Sequence, residues 1–385
     1  MQASVTKIKQ ATQSLPHKVS DQPSLRPSPQ NLKDALENFG YKLVMRASDE
    51  CHVLPHILHL IGKGGEHIVF EDIRFPNYIL KVDFIETLPM LYSYAKGDAA
   101  ISHAREKLES TASMHENRIK RLKEYFDLES VPLEKVFVKE LPLEEGLVLA
   151  IMKDRNLEIP ENLIVPERLP VLCTIQHRIN LPKNRIDIYS SYAELNRTIL
   201  KDYYIDGHRL LSGSHAIGPD DMESRAKIIR YIYPSLKKIT LLANSDPNFA
   251  LALGDYVRRA MRYSVDTNEI IDMAGGGNVV FIKKSNKTWS PFLMDALSPP
   301  ALNFDLINST ALKIKHDVEV DIHTKANVLN VINYIRFCNA LAIISGIPDR
   351  LNVNGINTIT PARWHDGLII EKYLDIYTPK KTDKS

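Results

Sequence analysis

One short segment near the start of the chain carries residues suited to binding phosphate. Gly62, Gly64 and Gly65 fall at the tip of a predicted hairpin, and glycine lets backbone amides approach phosphate oxygens because no side chain intervenes. Lys81 follows on the next predicted strand between apolar residues, where an ammonium needs phosphate or carboxylate as a partner. A simple hairpin turn would also explain the glycines, but the lysine one strand later favours phosphate binding.

A second segment, 269–297, carries residues suited to metal binding and proton transfer. Asp272 precedes three glycines, Asn278 opens a predicted hairpin and Asp295 ends it. An amide and a carboxylate at neighbouring strand ends can hold a divalent cation through oxygen, and Asp272 could orient a hydroxyl and accept its proton. A glycine-rich linker with capping acids is the alternative. The order of the three residues, downstream of Lys81, favours the chemical interpretation.

Composition places few limits on the partners of this chain. Its 385 residues include 49 basic and 47 acidic side chains, so no global field selects nucleic acid or an anionic membrane. The three cysteines match no metal-binding spacing. No stretch is apolar enough to predict a transmembrane segment, and the N-terminus lacks the apolar region of a secretory signal. We therefore expect a cytoplasmic protein whose residues 1–30 form a disordered tail.

The elements that would position these residues change character along the chain. Strands are predicted at 56–62, 66–71, 77–82, 136–141 and 169–176. A long amphipathic helix is predicted over 98–126, from apolar residues at three- and four-residue steps. Beyond residue 190 the predicted helices are 190–204, 222–243, 248–264 and 324–345, and one later segment is predicted as β, the hairpin of 278–284 and 289–295. Strands followed by helices predict an α+β chain with two lobes.

The helix over 98–126 should offer Lys81 a carboxylate partner. Glu106, Glu109 and Glu116 all lie on it. Glu116 borders the apolar face, so it is the preferred partner, although any of the three can equally be a solvated charge.

Together these residues resemble the protein kinase-like superfamily. Gly62-Lys63-Gly64-Gly65 resembles the glycine-rich loop, and Lys81 the phosphate-binding lysine of the third strand. The resemblance implies that Glu116 pairs with that lysine. It covers about residues 57 to 300, and 169–178 would be the fifth strand leading into the hinge.

The second segment extends the resemblance. Asp272 resembles the catalytic-loop aspartate, Asn278 the metal-binding asparagine and Asp295 the aspartate of the Asp-Phe-Gly motif. The implied fold is a bilobal α+β kinase fold, with an N-lobe over 31–178 that contains the regulatory helix and hinge. The implied C-lobe, over 179–385, would be helical and contain the catalytic loop and metal-binding hairpin.

The implied activity is ATP-dependent phosphate transfer with Mg²⁺. An atypical Ser/Thr protein kinase is the first choice, a small-molecule or lipid-head-group kinase the second, and a catalytically inactive pseudokinase scaffold the third. Such atypical kinases occur among effectors that intracellular bacteria deliver into host cells, so delivery without a cleavable signal is an alternative location.

The sequence also departs from the family pattern in ways that bear on regulation. Neither His-Arg-Asp nor Ala-Pro-Glu occurs, and Met-Asp-Ala replaces Asp-Phe-Gly. Ordinary activation-loop control is therefore not expected. Bases on two predicted helices could instead bind an activating polyanion, such as an inositol phosphate or phosphoinositide head group; they are Arg225, Lys227, Arg230, Arg258, Arg259 and Arg262. Two solvated helix faces are the alternative.

Overall fold

The computed structural model describes residues 58–63, 67–72, 76–132, 134–142, 149, 152–153, 159–179, 181–190, 235–316, 318–353 and 355–358. Within these residues the chain is α+β, with ten strands in three antiparallel sheets and six α-helices. The predicted tail over 1–30, the predicted helix over 190–204 and the glycines Gly64 and Gly65 lie outside this part of the chain.

The first five strands form one sheet in the order β1-β2-β3-β5-β4. Their bounds are Leu58–Lys63 (β1), His67–Asp72 (β2), Tyr78–Asp83 (β3), Glu134–Pro142 (β4) and Arg168–His177 (β5). The five strands predicted from the sequence are therefore confirmed, with small differences at their ends. In this order β3 and β5 are central, and β4 forms an edge.

Helices cover both faces of this sheet. Helix α1 (Phe84–Ser93) packs on the face that carries Leu80 and Val82, and helix α2 (Asp98–Tyr125) packs on the opposite face. Successive side chains of a strand point to opposite faces. Because Leu80 and Val82 point toward α1, Lys81 between them points to the face that α2 covers.

Helix α2 confirms the helix predicted over 98–126, whereas α1 is not among the elements that the sequence predicts. Pro89 lies inside α1 and disfavours a helix on sequence grounds. The Asp83 side chain caps the helix by accepting a hydrogen bond from the Glu86 amide at 2.9 Å. Met90 and Leu91 are buried against the sheet, so tertiary packing overrides the local propensity.

The later part of the chain is built around one buried helix. Helices α3 (Leu236–Ser245), α4 (Pro247–Thr267), α5 (Phe304–Lys315) and α6 (Ile322–Ile344) contribute to one large hydrophobic cluster. Residues 331–342 of α6 are buried on every side. The predicted helices over 248–264 and 324–345 are confirmed, and of the one over 222–243 the structure describes only the end, as part of α3. Helix α5 is not predicted from the sequence.

Two hairpins accompany these helices. Strands β7 (Val279–Lys283) and β8 (Trp289–Leu293) form the predicted hairpin, and β6 (Ile186–Asp187) pairs with β7. Strands β9 (Asp349–Asn352) and β10 (Gly355–Thr358) form a second hairpin, so the expectation of a single later β segment is wrong. The Asn339 side chain on α6 stabilises β9 through hydrogen bonds with the Leu351 amide and carbonyl at 2.8 and 2.9 Å.

Candidate functional site

Lys81 is a buried cation at the centre of the five-stranded sheet. It pairs across the sheet with Val69 on β2 and Thr174 on β5, and only 7% of its surface is exposed. Its Nζ lies 3.5 Å from Oδ1 of Asp295, a side chain that is about half exposed. The structure thus brings together two of the predicted site residues, and it supplies the carboxylate that a buried ammonium needs.

The glutamates of α2 do not reach Lys81. Glu106, Glu109 and Glu116 are all exposed, and the predicted Lys81–Glu116 ion pair is not formed. The reason is the phase of the helix: adjacent residues differ by about 100° around its axis. The face toward Lys81 presents His115, one position before Glu116, and burial together with the nearby Arg118 lowers the pKa of His115 to about 4.

Asp272 lies in the loop between α4 and β7. Its amide donates to the Ala296 carbonyl at 2.8 Å, and Ile271 pairs with Leu297 in an antiparallel bridge. These contacts hold the Asp272 loop beside the segment that follows β8. The Asp272 carboxylate accepts the amide of Ala274 at 2.8 Å, so its orientation is set locally.

Asn278 connects the Asp272 side chain with the backbone at Asp295. The backbone carbonyl of Asn278 accepts hydrogen bonds from the amides of Met294 at 2.7 Å and Asp295 at 3.5 Å. The side chain of Asn278 is hydrogen-bonded to Asp272. A Cβ at Gly275 would lie 3.1 Å from the side-chain amide of Asn278, so a larger residue there would press on that amide. The structure therefore brings Asp272, Asn278 and Asp295 to one place, as the sequence predicts.

Several acids in and beside the site have raised pKa values. Burial raises the pKa of Asp272 to about 6, and the charge of Asp295 contributes. Burial also raises the pKa of Glu134 to about 7 although Lys81 opposes that shift, and it raises the pKa of Asp83. Desolvation is the largest cause of each shift, so ionising these acids costs free energy in the folded protein.

Glu134 and Gln176 belong to the site and are not predicted from the sequence. They face each other across β4 and β5, on the same face as Lys81. Gln176 is only 1% exposed, and its Nε2 donates to Glu134 Oε2 at 3.0 Å and to the Met294 carbonyl at 2.8 Å. This bridge ties the start of β4 to the residue before Asp295. In the sequence, only the alternation of side chains along each strand points to these two residues. That alternation identifies a shared face only when the register of the sheet is known.

His67 is a further residue of the site that sequence reasoning missed. Its Nε2 lies 3.7 Å from Asp83 Oδ2 and its Nδ1 lies 3.7 Å from Asp295 Oδ2. In the kinase pattern G-x-G-x-x-G-x-V, which Gly62 and Gly64 begin, His67 stands where the third glycine is expected and Val69 where the valine is expected. That pattern could have identified His67 as a neighbour of the site.

A pocket joins the site residues from several elements. Its polar lining comprises His67, Lys81, His115, Glu134, Thr174 and Asp295. Among the described residues, no group of three or more His, Cys, Asp or Glu side chains is arranged to hold a metal ion. Mg²⁺ commonly takes only one or two carboxylates and completes its shell with water and phosphate oxygens. The Asp295 carboxylate and the Asn278 amide oxygen fit that requirement.

A separate ionic cluster anchors α2 to the segments on either side of Asp272 and Asp295. Arg118, only 4% exposed, donates to Glu269 Oε2 at 3.0 Å and to the Ser298 carbonyl at 2.6 Å. Arg121 and the Tyr263 hydroxyl also hydrogen-bond to Glu269. Burial works to raise the pKa of Glu269, but the Tyr263 hydrogen bond and the Arg118 charge outweigh it, so the pKa is lowered.

The bases proposed to bind a polyanion are only partly described. Arg225, Lys227 and Arg230 lie outside the described residues. Of the three bases on α4, Arg262 is exposed, Arg258 lies 3.9 Å from Asp349, and Arg259 pairs with Asp255 at 2.8 Å and Asp127 at 3.2 Å. A polyanion would have to compete with these carboxylates. The activator stays a prediction.

No helix in the described part of the chain combines the length and the apolar character needed to cross a bilayer.

In comparisons with known proteins, no family model, no curated protein and no solved structure matches this chain.

Proposed function

We propose that this protein is an ATP- and Mg²⁺-dependent phosphotransferase of the protein kinase-like type. The observation that carries the proposal is the convergence of Asp272, Asn278 and Asp295 with Lys81, from elements far apart in the chain. One cation, one amide and two carboxylates are the groups that phosphoryl transfer uses for positioning and charge neutralisation.

The order of the elements supports the same proposal. Lys81 lies on the third strand, and the long helix α2 precedes the fourth strand. Asp272 precedes the β7–β8 hairpin and Asp295 follows it. This is the order in which protein kinases carry their phosphate-binding lysine, regulatory helix, catalytic aspartate and metal-binding aspartate. Separate hydrophobic clusters on the sheet and among the later helices support a two-lobed arrangement.

Each residue has a role that follows from its environment. Lys81 would bind the α- and β-phosphates of ATP, and Asn278 and Asp295 would hold Mg²⁺, which when bound neutralises charge on the phosphates. Asp272 would orient the acceptor hydroxyl. Its pKa of about 6 leaves the carboxylate ionised at neutral pH yet basic enough to accept a proton.

A protein serine or threonine is the acceptor we propose first. A small molecule or a lipid head group is the alternative, because the sequence has no Ala-Pro-Glu motif to support the usual peptide-docking surface.

The test compares Asp272→Asn and Asp295→Ala with an exposed control, Asp255→Asn on α4. Transfer of labelled phosphate from ATP should fall by about a thousandfold or more in Asp272→Asn while ATP binding persists. Asp295→Ala should lose Mg²⁺-dependent stabilisation by ATP in a melting assay. Asp255→Asn should behave as wild type.

Two outcomes would contradict this function. ATP binding with equal, near-background transfer by wild type and Asp272→Asn, across peptide, lipid and small-molecule acceptors, would identify a pseudokinase scaffold instead. No binding of ATP with Mg²⁺ or Mn²⁺ would remove the nucleotide site itself.

A further inference from the structure

Lys81 and Mg²⁺ make competing demands on Asp295. The structure pairs Lys81 with Asp295 Oδ1, and the proposed function gives the same carboxylate to a divalent cation. A carboxylate that binds a metal interacts less with a neighbouring ammonium because its charge is shared. Lys81 is buried, and a buried ammonium without a carboxylate or phosphate partner is costly. A second acid near Lys81 would resolve the conflict.

Glu134 is placed to be that acid. It opens β4 and faces Gln176 on β5, while Lys81 faces Thr174 two residues before Gln176. Residues two apart on a strand share a face, so Glu134 and Lys81 lie on one face of the sheet. Both line the pocket that Asp295 lines.

The Glu134 carboxylate is also held in a defined orientation. Gln176 donates from Nε2 to its Oε2 at 3.0 Å, and the same nitrogen donates to the Met294 carbonyl at 2.8 Å. The other carboxylate oxygen, Oε1, is not engaged by Gln176. Lys123 on α2 is the other cation whose charge acts on Glu134, besides Lys81.

The acids on α2 do not compete for this role. Glu106, Glu109 and Glu116 are exposed, and Glu109 pairs with Arg105 at 3.5 Å. The helix presents His115 to the pocket at the position where an acid would be needed.

We propose that Glu134, and no acid of α2, is the carboxylate that pairs with Lys81 when Asp295 binds Mg²⁺. Glu134 is then a positioning residue, which orients the phosphate-binding lysine from the fourth strand. Its role in catalysis, and the release of Asp295 to Mg²⁺, rest on the proposed function, whereas the ability of Glu134 to pair with Lys81 when the Asp295 carboxylate is removed does not. One consequence is that Lys81 stays oriented wherever α2 lies, since β4 and β5 belong to the same sheet as β3.

The first test removes Asp295 and needs no nucleotide. In wild type, Glu134→Gln should leave the folding equilibrium constant unchanged or raise it, because Lys81 stays paired with the Asp295 carboxylate. In the Asp295→Ala background, Glu134→Gln should lower that constant about tenfold, because Lys81 then has no carboxylate. Urea unfolding of the four proteins measures both effects.

A matched set of variants with Glu116→Gln, in wild type and in Asp295→Ala, tests the rival acid. Glu116→Gln should change the folding equilibrium constant by the same factor in both backgrounds. An equal effect of Glu134→Gln in both backgrounds would overturn the proposal, and so would a background-dependent effect of Glu116→Gln. If Lys81→Met folds, it should abolish the background dependence of Glu134→Gln; persistence of that dependence would also overturn it.

The second test measures the positioning role by kinetics. Glu134→Gln should raise KM for ATP and lower kcat for phosphate transfer, together reducing kcat/KM by about 10- to 100-fold. Glu124→Gln, an exposed glutamate on α2, should leave both constants at wild-type values. An active wild type with an equally active Glu134→Gln would overturn the inference and leave the proposed function intact. If Glu134→Gln changes stability only in the Asp295→Ala background and the protein binds no nucleotide, the ion pair is supported and the proposed function is contradicted.

Discussion

Two acid clusters lie beside helix α2 and differ in how their charges are neutralised. In the anchor cluster, the Glu269 carboxylate accepts hydrogen bonds from Arg118, Arg121 and the Tyr263 hydroxyl, and the pKa of Glu269 is lowered. The lysine cluster comprises Lys81, Asp295 and Glu134, which line one pocket, and Asp272, whose carboxyl is near Asp295. Burial raises the pKa values of Asp272 and Glu134 to about 6 and 7. In the anchor cluster, hydrogen bonds and cations outweigh the desolvation of the acid, whereas in the lysine cluster desolvation outweighs them.

The difference separates an ionic cluster that stabilises the fold from one suited to binding. Charges buried for structure are expected to be paired and hydrogen-bonded, because an unpaired buried charge is costly. Ionising a buried acid with a raised pKa costs free energy in the folded protein, and a cation bound nearby would relieve that cost. We therefore expect substitutions in the two clusters to change stability in opposite directions.

The largest effect is expected for Arg118→Met in the anchor cluster. This change removes the buried cation that pairs with Glu269 and the donor to the Ser298 carbonyl. Breaking a buried pair from one side costs about 3–5 kcal/mol. Urea unfolding at pH 7 measures the change. Arg121→Met is the control, because its side chain is 44% exposed and an exposed pair contributes at most about 1 kcal/mol. Equal losses for the two variants would contradict the distinction between buried and exposed arginine.

A smaller loss, about 1–3 kcal/mol at pH 7, is expected for Glu269→Gln. The lowered pKa of Glu269 means that the folded state binds this proton less readily than the unfolded state. The stability that Glu269 contributes is therefore present above its unfolded pKa, near 4.5, and is lost as pH falls through the folded pKa. Wild type and Glu269→Gln should converge in free energy of unfolding once the pH falls below the folded pKa of Glu269. A gap that stays constant from pH 7 to pH 3 would argue against charge as the cause.

The smallest effect, and of opposite sign, is expected for Glu134→Gln in the lysine cluster. The raised pKa of Glu134 means that the folded state holds the proton more tightly, so wild type loses stability as pH rises from about 4.5 to 7. The substitution removes that loss, and the amide oxygen that it introduces can still accept from Gln176. The variant should be more stable than wild type by about 1 kcal/mol at pH 8, and the difference should vanish below pH 4.5. Thermal unfolding from pH 4 to pH 8 measures the difference. A Glu134→Gln variant less stable than wild type at pH 8 would contradict a raised pKa for Glu134.

The sequence predicts the sheet and the amphipathic helix well because local patterns specify them. Apolar steps of three and four residues place Leu108, Ala112 and Ile119 on one face of α2, and that face packs on the sheet. Helix α1 escapes prediction because Pro89 contradicts its local preference. The β9–β10 hairpin escapes because its first strand is stabilised by the side chain of Asn339, on the helix that precedes it.

For the candidate site, the sequence by itself determined which residue types can carry the chemistry. Lys81, Asp272, Asn278 and Asp295 stand out because each interrupts an apolar or glycine-rich pattern, and the structure brings them together.

Only the tertiary structure decided which acids surround the lysine. Glu116 and His115 are neighbours in sequence, but about 100° of helix rotation exposes the first and directs the second to the pocket. Glu134 and Gln176 reach the site because β4 pairs with β5 in one particular register. A shift of that register by one residue would turn both side chains to the opposite face. The identity of the residues is local information, whereas their neighbours follow from packing between segments far apart in the chain.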